Sequence, residues 1–163
     1  MIHIQKMKDQ DWKDIVRIYQ EGIQTGMATF EQQVPSWNKW DADHLKHCRL
    51  VARRGHQIIG WAALSPVSSR CVYGGVAEVS VYVAQSARGS GVGEILLKEL
   101  VAQSEQQGLW TLQSGIFPEN IASLKLHEKI GFRKIGYREK IAQLDGVWKD
   151  NILMEKRSRT QGL

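Results

Sequence analysis

Two features of this chain are equipped for chemistry, and they lie on one continuous stretch. Glu78 sits alone in Val76-Ala-Glu-Val-Ser-Val-Tyr-Val-Ala84, an apolar, β-branched and aromatic run that reads as a strand covered on both faces. A carboxylate there is placed to take a proton from an incoming nucleophile. After it, Arg88-Gly89-Ser90-Gly91-Val92-Gly93 puts glycines where a backbone must approach a ligand closely, and Glu94 to Val101 then repeats with a helical period. Free N–H groups and the positive end of such a helix bind phosphate or pyrophosphate. At about 3.3 Å per residue the carboxylate and the turn stand roughly 20 Å or more apart. A ligand held by its phosphates at the turn therefore needs a long arm to react at Glu78.

Spacing separates the phosphate loops that this turn resembles. A Walker loop ends in Gly-Lys-Ser/Thr, but this one ends Val92-Gly93-Glu94. A dinucleotide fingerprint places its third glycine three positions after the second, and that position is Glu94, so the glycine that packs helix on strand is missing.

The elements that must position these groups follow from periodicity and capping. Ile2 to Lys6 reads as a strand, and Asp9 is the expected cap of a helix through Trp12, Ile15, Tyr19 and Ile23 that ends near Gly26. Ser36 caps a second helix through Trp37, Trp40, Leu45 and His47. Strands at Arg49–Arg53 and Gln57–Leu64 flank the turn at Gly55. Beyond the Glu78 strand and the glycine-turn helix, which runs to about Gln107, a strand at Trp110–Phe117 and a helix at Asn120–Ile130 follow. Strands at Phe132–Leu144 and Val147–Glu155 then enclose the turn Asp145-Gly146. The order βααβββαβαββ predicts an α/β fold with a mixed sheet and helices on both faces.

The motif Arg88-x-x-Gly91-x-Gly93 after a strand resembles the pyrophosphate-binding turn of the GCN5-related N-acetyltransferases. Further segments extend the likeness to the phosphinothricin, methionine sulfoximine and arsinothricin acetyltransferase branch. They are Ile18–Ile23, Ala28–Glu31, Glu78–Val83, Ile116–Asn120, Ala122–Phe132 and Leu144–Asp150, spread over a resemblance that runs from about Ile2 to Glu155. The resemblance implies a mostly antiparallel sheet, acetyl-CoA as co-substrate without a metal, and a small amino acid or toxic analogue as acceptor. The extended pantetheine arm of CoA has the reach that the spacing between Glu78 and the turn demands.

The same resemblance implies roles for individual residues. Glu78 becomes the base that takes the amine proton, directly or through water. His127 stands where many relatives carry a tyrosine that protonates the leaving thiolate, so it is expected to donate that proton or to help bind substrate. Main chain of Val81, Tyr82 and Val83, and of Arg88, Gly89, Ser90, Gly91, Val92 and Gly93, is expected to hold CoA, with Asn120 and Ser123 touching it from the later helix. Arg70 and Tyr73, eight and five residues before Glu78, match groups that meet the acid functions of the substrate. An arginine fork suits a carboxylate or phosphinate. Thr29 and Phe30 are expected on the opposite wall. Gly74-Gly75 departs from the larger residues of that branch, which leads us to expect a roomier acceptor pocket. A homodimer is implied as well.

Composition bounds the alternatives. A length of 163 residues at 42% hydrophobic suits a single domain over 1–163, with 157–163 expected to fray. No run is long enough to span a membrane, and Met1 to Lys8 lacks the apolar stretch of a signal peptide, so a cytoplasmic location is expected. The formal net charge of +5 suits an anionic ligand or nucleic acid. Because Lys and Arg cluster only at Lys156–Arg159, no nucleic-acid partner is expected. His44-x-x-His47-Cys48 has metal-ligand spacing, but nothing elsewhere completes a site. Cys71 beside Arg70 leaves open an acetyl-cysteine route. A different amine acceptor, or a CoA sensor without turnover, are the rival readings.

Overall fold

In the computed structural model, which describes Met1 to Leu163, the strands are β1 (Ile2–Lys6), β2 (Leu50–Arg54), β3 (Gln57–Pro66), β4 (Val76–Val83), β5 (Thr111–Ile116), β6 (Arg133–Leu144) and β7 (Val147–Arg157). The helices are α1 (Trp12–Gln24), α2 (Trp37–Asp43), α3 (Val92–Gln106) and α4 (Ile121–Ile130). Their order is the one that periodicity predicts. One seven-stranded sheet runs β1-β2-β3-β4-β5-β7-β6. Every neighbouring pair is antiparallel except β4 and β5.

Adjacent residues of β3 show that helices cover both faces. Trp61 meets Tyr19 of α1, with ring centroids 5.5 Å apart, whereas Gly60 lies against Leu96 of α3. Successive residues of a strand point to opposite faces, so α1 and α3 sandwich the sheet. The α1 stripe Ile15, Ile18, Tyr19 and Gly22 and the α3 stripe Leu96, Leu97 and Leu100 carry the burial on the two sides.

The start of α1 is closed differently from expectation. Asp9 to Asp11 forms one 3₁₀ turn, and the Lys8 N–H donates to the Asp11 carboxylate at 2.9 Å. Asp11 also receives the Arg53 guanidinium at 2.7 Å, so the buried acid rather than Asp9 organises the entry. For α2 the expected Ser36 cap is present, its hydroxyl accepting from the Lys39 N–H at 3.3 Å. This helix stops at Asp43, earlier than the run to His47, because His44 turns to extended backbone and engages the Trp40 carbonyl through Nδ1.

Two further expectations need correcting. The β4 strand is not covered on both faces: Ala77 and Val79 are buried, but Glu78 and Ser80 to Val83 are half-exposed. The cause is in the pairing, since β5 bonds to β4 only from Val76 to Glu78 and then departs. Residues 157–163, expected to fray, are tied down instead. The buried Ser158 hydroxyl donates to Glu105 at 2.7 Å and accepts the N–H groups of Thr160 and Gln161, both at 3.1 Å. The Arg157 guanidinium holds the Gln161 carbonyl at 2.8 Å and the Gly162 carbonyl at 2.6 Å. No helix is long and apolar enough to cross a membrane.

Candidate active site

Where β4 and β5 part, the sheet opens into a cleft of about 410 Å³. Glu78 stands at the last paired position, opposite Gln113. Beyond it β4 remains bonded to β3 on one side, through Val79↔Leu64 to Val83↔Gly60, while its other edge is free. That edge presents main-chain donors and acceptors of Val79 to Val83 to anything extended along it, in the manner of a strand added to a sheet. Ser80, Val81 and Tyr82 line the cleft with Glu78. Val83 lies past its rim, beside the glycine turn, with its Cγ2 3.6 Å from where a side chain on Gly93 would begin.

The turn itself is built for main-chain contact. Gly89 and Gly91 adopt φ of +77° and +86°, and a Cβ on either would meet nothing within 4 Å, so both need glycine for conformation and leave open space above. Gly91 is the cap residue of α3 and offers no side chain to it, which leaves the first-turn N–H groups from Val92 and Gly93 uncapped. The Ser90 hydroxyl instead donates to the Ala87 carbonyl. Glu94, a negative charge at this helix start, is held by Lys129 at 2.8 Å and Lys98 at 2.9 Å, pairs that draw its pKa down. Arg88 flanks the turn, and Arg54, the last residue of β2, reaches within 3.5 Å of the Ser90 hydroxyl. The region fits a pyrophosphate: N–H donors, flanking cations and no side chain in the way. Arg54 escaped the sequence reading because it lies far away along the chain.

His127 closes the floor of the cleft and is 3% exposed. Its Nδ1 lies 2.7 Å from the Ser123 carbonyl and 3.4 Å from the Ser123 hydroxyl. A carbonyl only accepts, so that bond puts the ring hydrogen on Nδ1 and leaves a lone pair on Nε2. Nε2 is buried without a partner. Burial lowers the His127 pKa against the smaller, opposing effect of the Ser123 bond, so the ring is neutral. As built, it is an acceptor of protons, and it must receive one before it can give one.

The other expected residues divide between the cleft and its surroundings. The Asn120 carboxamide caps α4, its oxygen accepting the Ser123 N–H at 3.2 Å while its Nδ2 donates to the Met27 carbonyl at 3.2 Å, which ties the α1–α2 loop to the cleft. Thr29 and Phe30 line the opposite wall, with Phe30 edge-on to Phe117 at 4.7 Å. Arg70 and Tyr73 do not line the cleft of a single chain. They sit at and inside an exposed 3₁₀ turn before β4, with the guanidinium carbon 5.6 Å from the Tyr73 ring centre. Gly75 has a packing cause rather than a pocket one: a Cβ there would fall 2.0 Å from the Trp110 ring. The expectation that Gly74 and Gly75 enlarge the acceptor pocket is thereby withdrawn, since neither lines the cleft. Cys71 is exposed in the same turn and also lies off the cleft wall.

The cleft also draws in Glu31, from a segment that carries the resemblance, and residues that no local motif signalled: Ser114, Arg138, Ile141, Ala142 and Asn151. Of these Asn151 is 7% exposed, and its Oδ1 has no partner.

With the geometry established, comparison places the chain among known proteins. The model of the acetyltransferase (GNAT) family matches residues 12–132. Phosphinothricin N-acetyltransferase from Alcaligenes faecalis is 31% identical over 163 residues, covering 94% of this chain and 81% of that one. Among solved structures, a phosphinothricin acetyltransferase from Sinorhizobium meliloti in complex with AcCoA superposes with a TM-score of 0.89 at 26% identity, over 99% of this chain and 90% of that one. Ribosomal-protein-alanine N-acetyltransferase from Brucella melitensis gives a TM-score of 0.89 at 28% identity, over 96% of this chain and 99% of that one.

Proposed function

This chain belongs to the acetyltransferase (GNAT) family and is an N-acetyltransferase, and we propose that it transfers the acetyl group of acetyl-CoA to the α-amino group of a small amino acid or toxic amino-acid analogue, such as phosphinothricin or methionine sulfone. The observation that carries the reading is the placing of Glu78 where β4 and β5 part, with the uncapped glycine turn further along the same strand. When bound, acetyl-CoA supplies an acyl carbon activated by a thiolate leaving group.

The chain's own residues do the rest. Main chain of Arg88 to Gly93, with Arg88 and Arg54 beside it, holds the phosphates, and the free edge of β4 from Val81 to Val83 guides the arm between the strands. Asn120 and Ser123 bound that path from α4. An α-amine is mostly protonated near neutral pH, and the Glu78 carboxylate takes its proton directly or through one water. The amine nitrogen then bonds to the acyl carbon as the carbon–sulfur bond breaks, and the electron pair leaves on sulfur. Neutral His127 offers Nε2 to the second amine proton and, once protonated, can return a proton to the thiolate. This order differs from direct proton donation, one of the two roles expected of it.

Exposed apolar side chains along β6 and β7, Tyr137 at 59% and Trp148 at 55% among them, support the homodimer that the resemblance implies, and acetyl-CoA as donor fits work in the cytoplasm. An intact carboxylate at Glu78 argues against a sensor without turnover. The test is thiol release from acetyl-CoA across phosphinothricin, methionine sulfone, methionine sulfoximine, arsinothricin, spermidine and an alanine-terminated peptide. Turnover of at least one of the amino acids, with the peptide and polyamine slower, is the expected result. Acetylation of only the peptide or the polyamine would overturn the acceptor while leaving the reaction type standing.

A further inference from the structure

The acceptor side of the cleft has a wall that no motif announces. Arg138 of β6 and Asn151 of β7 are direct partners across the antiparallel ladder, so their side chains share a face, and both line the cleft. Of the neighbouring cations of the hairpin, Arg133 pairs with Glu155 at 2.8 Å and Lys149 with Glu119 at 3.1 Å, while the Lys140 ammonium, like Arg138, has no carboxylate partner. Arg138 enters no ion pair and no side-chain hydrogen bond, although Glu31 and Glu78 line the same cleft. Beside it the Asn151 Oδ1 is buried with nothing to accept from. A buried, unpartnered acceptor is costly unless a ligand or water completes it.

The placement of Arg138 is itself constructed. The ladder loses register after it: Arg138 faces Asn151 and Ala142 faces Lys149, so Glu139, Lys140 and Ile141 stand opposite Asp150 alone. Asp150 organises this bulge, accepting the Lys140 N–H at 2.8 Å and the Tyr137 hydroxyl on its other oxygen. Lys140 takes a φ of +47° within it. Bulges of this kind re-aim side chains beside functional sites, and this one brings Arg138, Ile141 and Ala142 to the cleft.

We propose that the cross-strand pair Arg138 and Asn151 recognises the α-amino-acid head group of the acceptor, the guanidinium binding its carboxylate and the Asn151 carbonyl accepting from its N–H. The inference rests on the reading of this cleft as an amino-acid acetyltransferase site, and it narrows the substrate class to free α-amino acids. A polyamine has no carboxylate, and the N-terminal residue of a peptide has an amide in its place. Arg138 thus supplies a selection that Glu78 cannot, because a base does not distinguish one amine from another.

The test compares methionine sulfone with its carboxamide as acceptors, in the wild-type protein and in Arg138→Gln, Arg138→Lys and Asn151→Asp, with the acetyl-CoA dissociation constant measured by calorimetry for each. Wild type should prefer the carboxylate by roughly ten- to a hundredfold in kcat/KM, the scale of a charge-assisted hydrogen bond. Arg138→Gln should erase that preference through KM for the carboxylate acceptor while acetyl-CoA affinity holds. Arg138→Lys should restore part of it, because a point charge lacks the two-pronged fork. Asn151→Asp should mimic the loss, since the new carboxylate would occupy Arg138. A wild-type preference that survives intact in Arg138→Gln overturns the inference and leaves the amino-acid reading in place. A wild-type protein that acetylates neither compound but turns over spermidine or a peptide overturns both.

Discussion

At one end of β4 the glycine turn presents main-chain N–H groups from a single stretch, Arg88 to Gly93, whereas at the other end Met27–Glu31, Arg138, Ile141, Ala142 and Asn151 line one cleft with Glu78 and His127. As proposed, the first end recognises a group that does not vary, a pyrophosphate, and solves the problem with backbone conformation. The second must recognise whatever amine is to be modified, and it uses side chains set by a loop, a bulge and a ladder. Change at Arg138 and Ile141 costs little elsewhere, because both lie on the exposed face of β6 rather than in the core, whereas Asn151 and His127 are buried. Conformation at the first end leaves no such freedom.

The largest effect should come from breaking the backbone solution. Valine is a poor fit to the φ of +86° at Gly91, because a β-branched residue in the left-handed region is a steric outlier. Gly91→Val should therefore reorient the first-turn N–H groups and abolish CoA binding in a calorimetric titration. Gly108 supplies the control at the other end of α3, with φ of +81° and likewise open space around it. Gly108→Val carries comparable strain, so it should lower the melting temperature similarly while CoA still binds. If Gly91→Val binds CoA as the wild type does, the main-chain cradle is wrong.

Next in size is the loss of the base. Glu78→Gln should keep CoA affinity and lose roughly a hundredfold or more in kcat, the scale of general-base removal. Its remaining rate should climb with pH as the amine loses its proton unaided. Wild-type turnover with a wild-type pH profile in this variant would remove Glu78 from the chemistry and detach the two ends of the cleft from each other.

The same contrast explains what could be read from the sequence. The glycine turn was legible because its backbone conformation leaves a local trace, glycines at fixed spacing between a strand and a helix. The fold was legible for a similar reason: caps such as Ser36 and the periods of α1 and α3 are short-range signals. The acceptor wall was not. Arg138 looks like any polar residue of an edge strand until the register shift opposite Asp150 and the ladder partner Asn151 are known, and pairing of remote strands has no local signature. Gly75 shows the converse failure. Its departure from the family pattern suggested a larger pocket, yet the glycine makes room for the Trp110 ring, a contact between distant segments. The tail misled because Ser158 finds its partner Glu105 on α3, which composition cannot reveal.

A smaller effect sharpens the acceptor end. Asp150 does not line the cleft but holds the bulge through the Lys140 N–H and the Tyr137 hydroxyl. Asp150→Ala should raise KM for the amino-acid acceptor about three- to tenfold, with kcat and CoA affinity near wild type, because misplacing Arg138 weakens rather than deletes its contact. Stability should change little, as the bonds lost are exposed. Unchanged acceptor KM would mean that the bulge is incidental to recognition.

The smallest effect is expected at Arg70, where resemblance and geometry pull apart. The resemblance gives it a substrate acid group, while in the single chain it lies outside the cleft, against the Tyr73 ring and without an ion pair. A well-hydrated guanidinium off the cleft wall contributes up to about 1 kcal/mol to a charge contact, or roughly fivefold in binding. Arg70→Ala should therefore raise KM by no more than about fivefold, and only for acceptors with a charged or strongly polarised side-chain oxygen, such as phosphinothricin or methionine sulfone. Methionine itself should be untouched. This pattern would assign the two arginines to different functions of one substrate, Arg138 to the α-carboxylate and Arg70 to the side chain. A rise well beyond tenfold for all amino acids would show instead that the loop before β4 folds onto the acceptor, or reaches the cleft of a second copy, and the acceptor wall would have to be redrawn around Arg70. No change with any acceptor would leave that end to Arg138 and Asn151 alone.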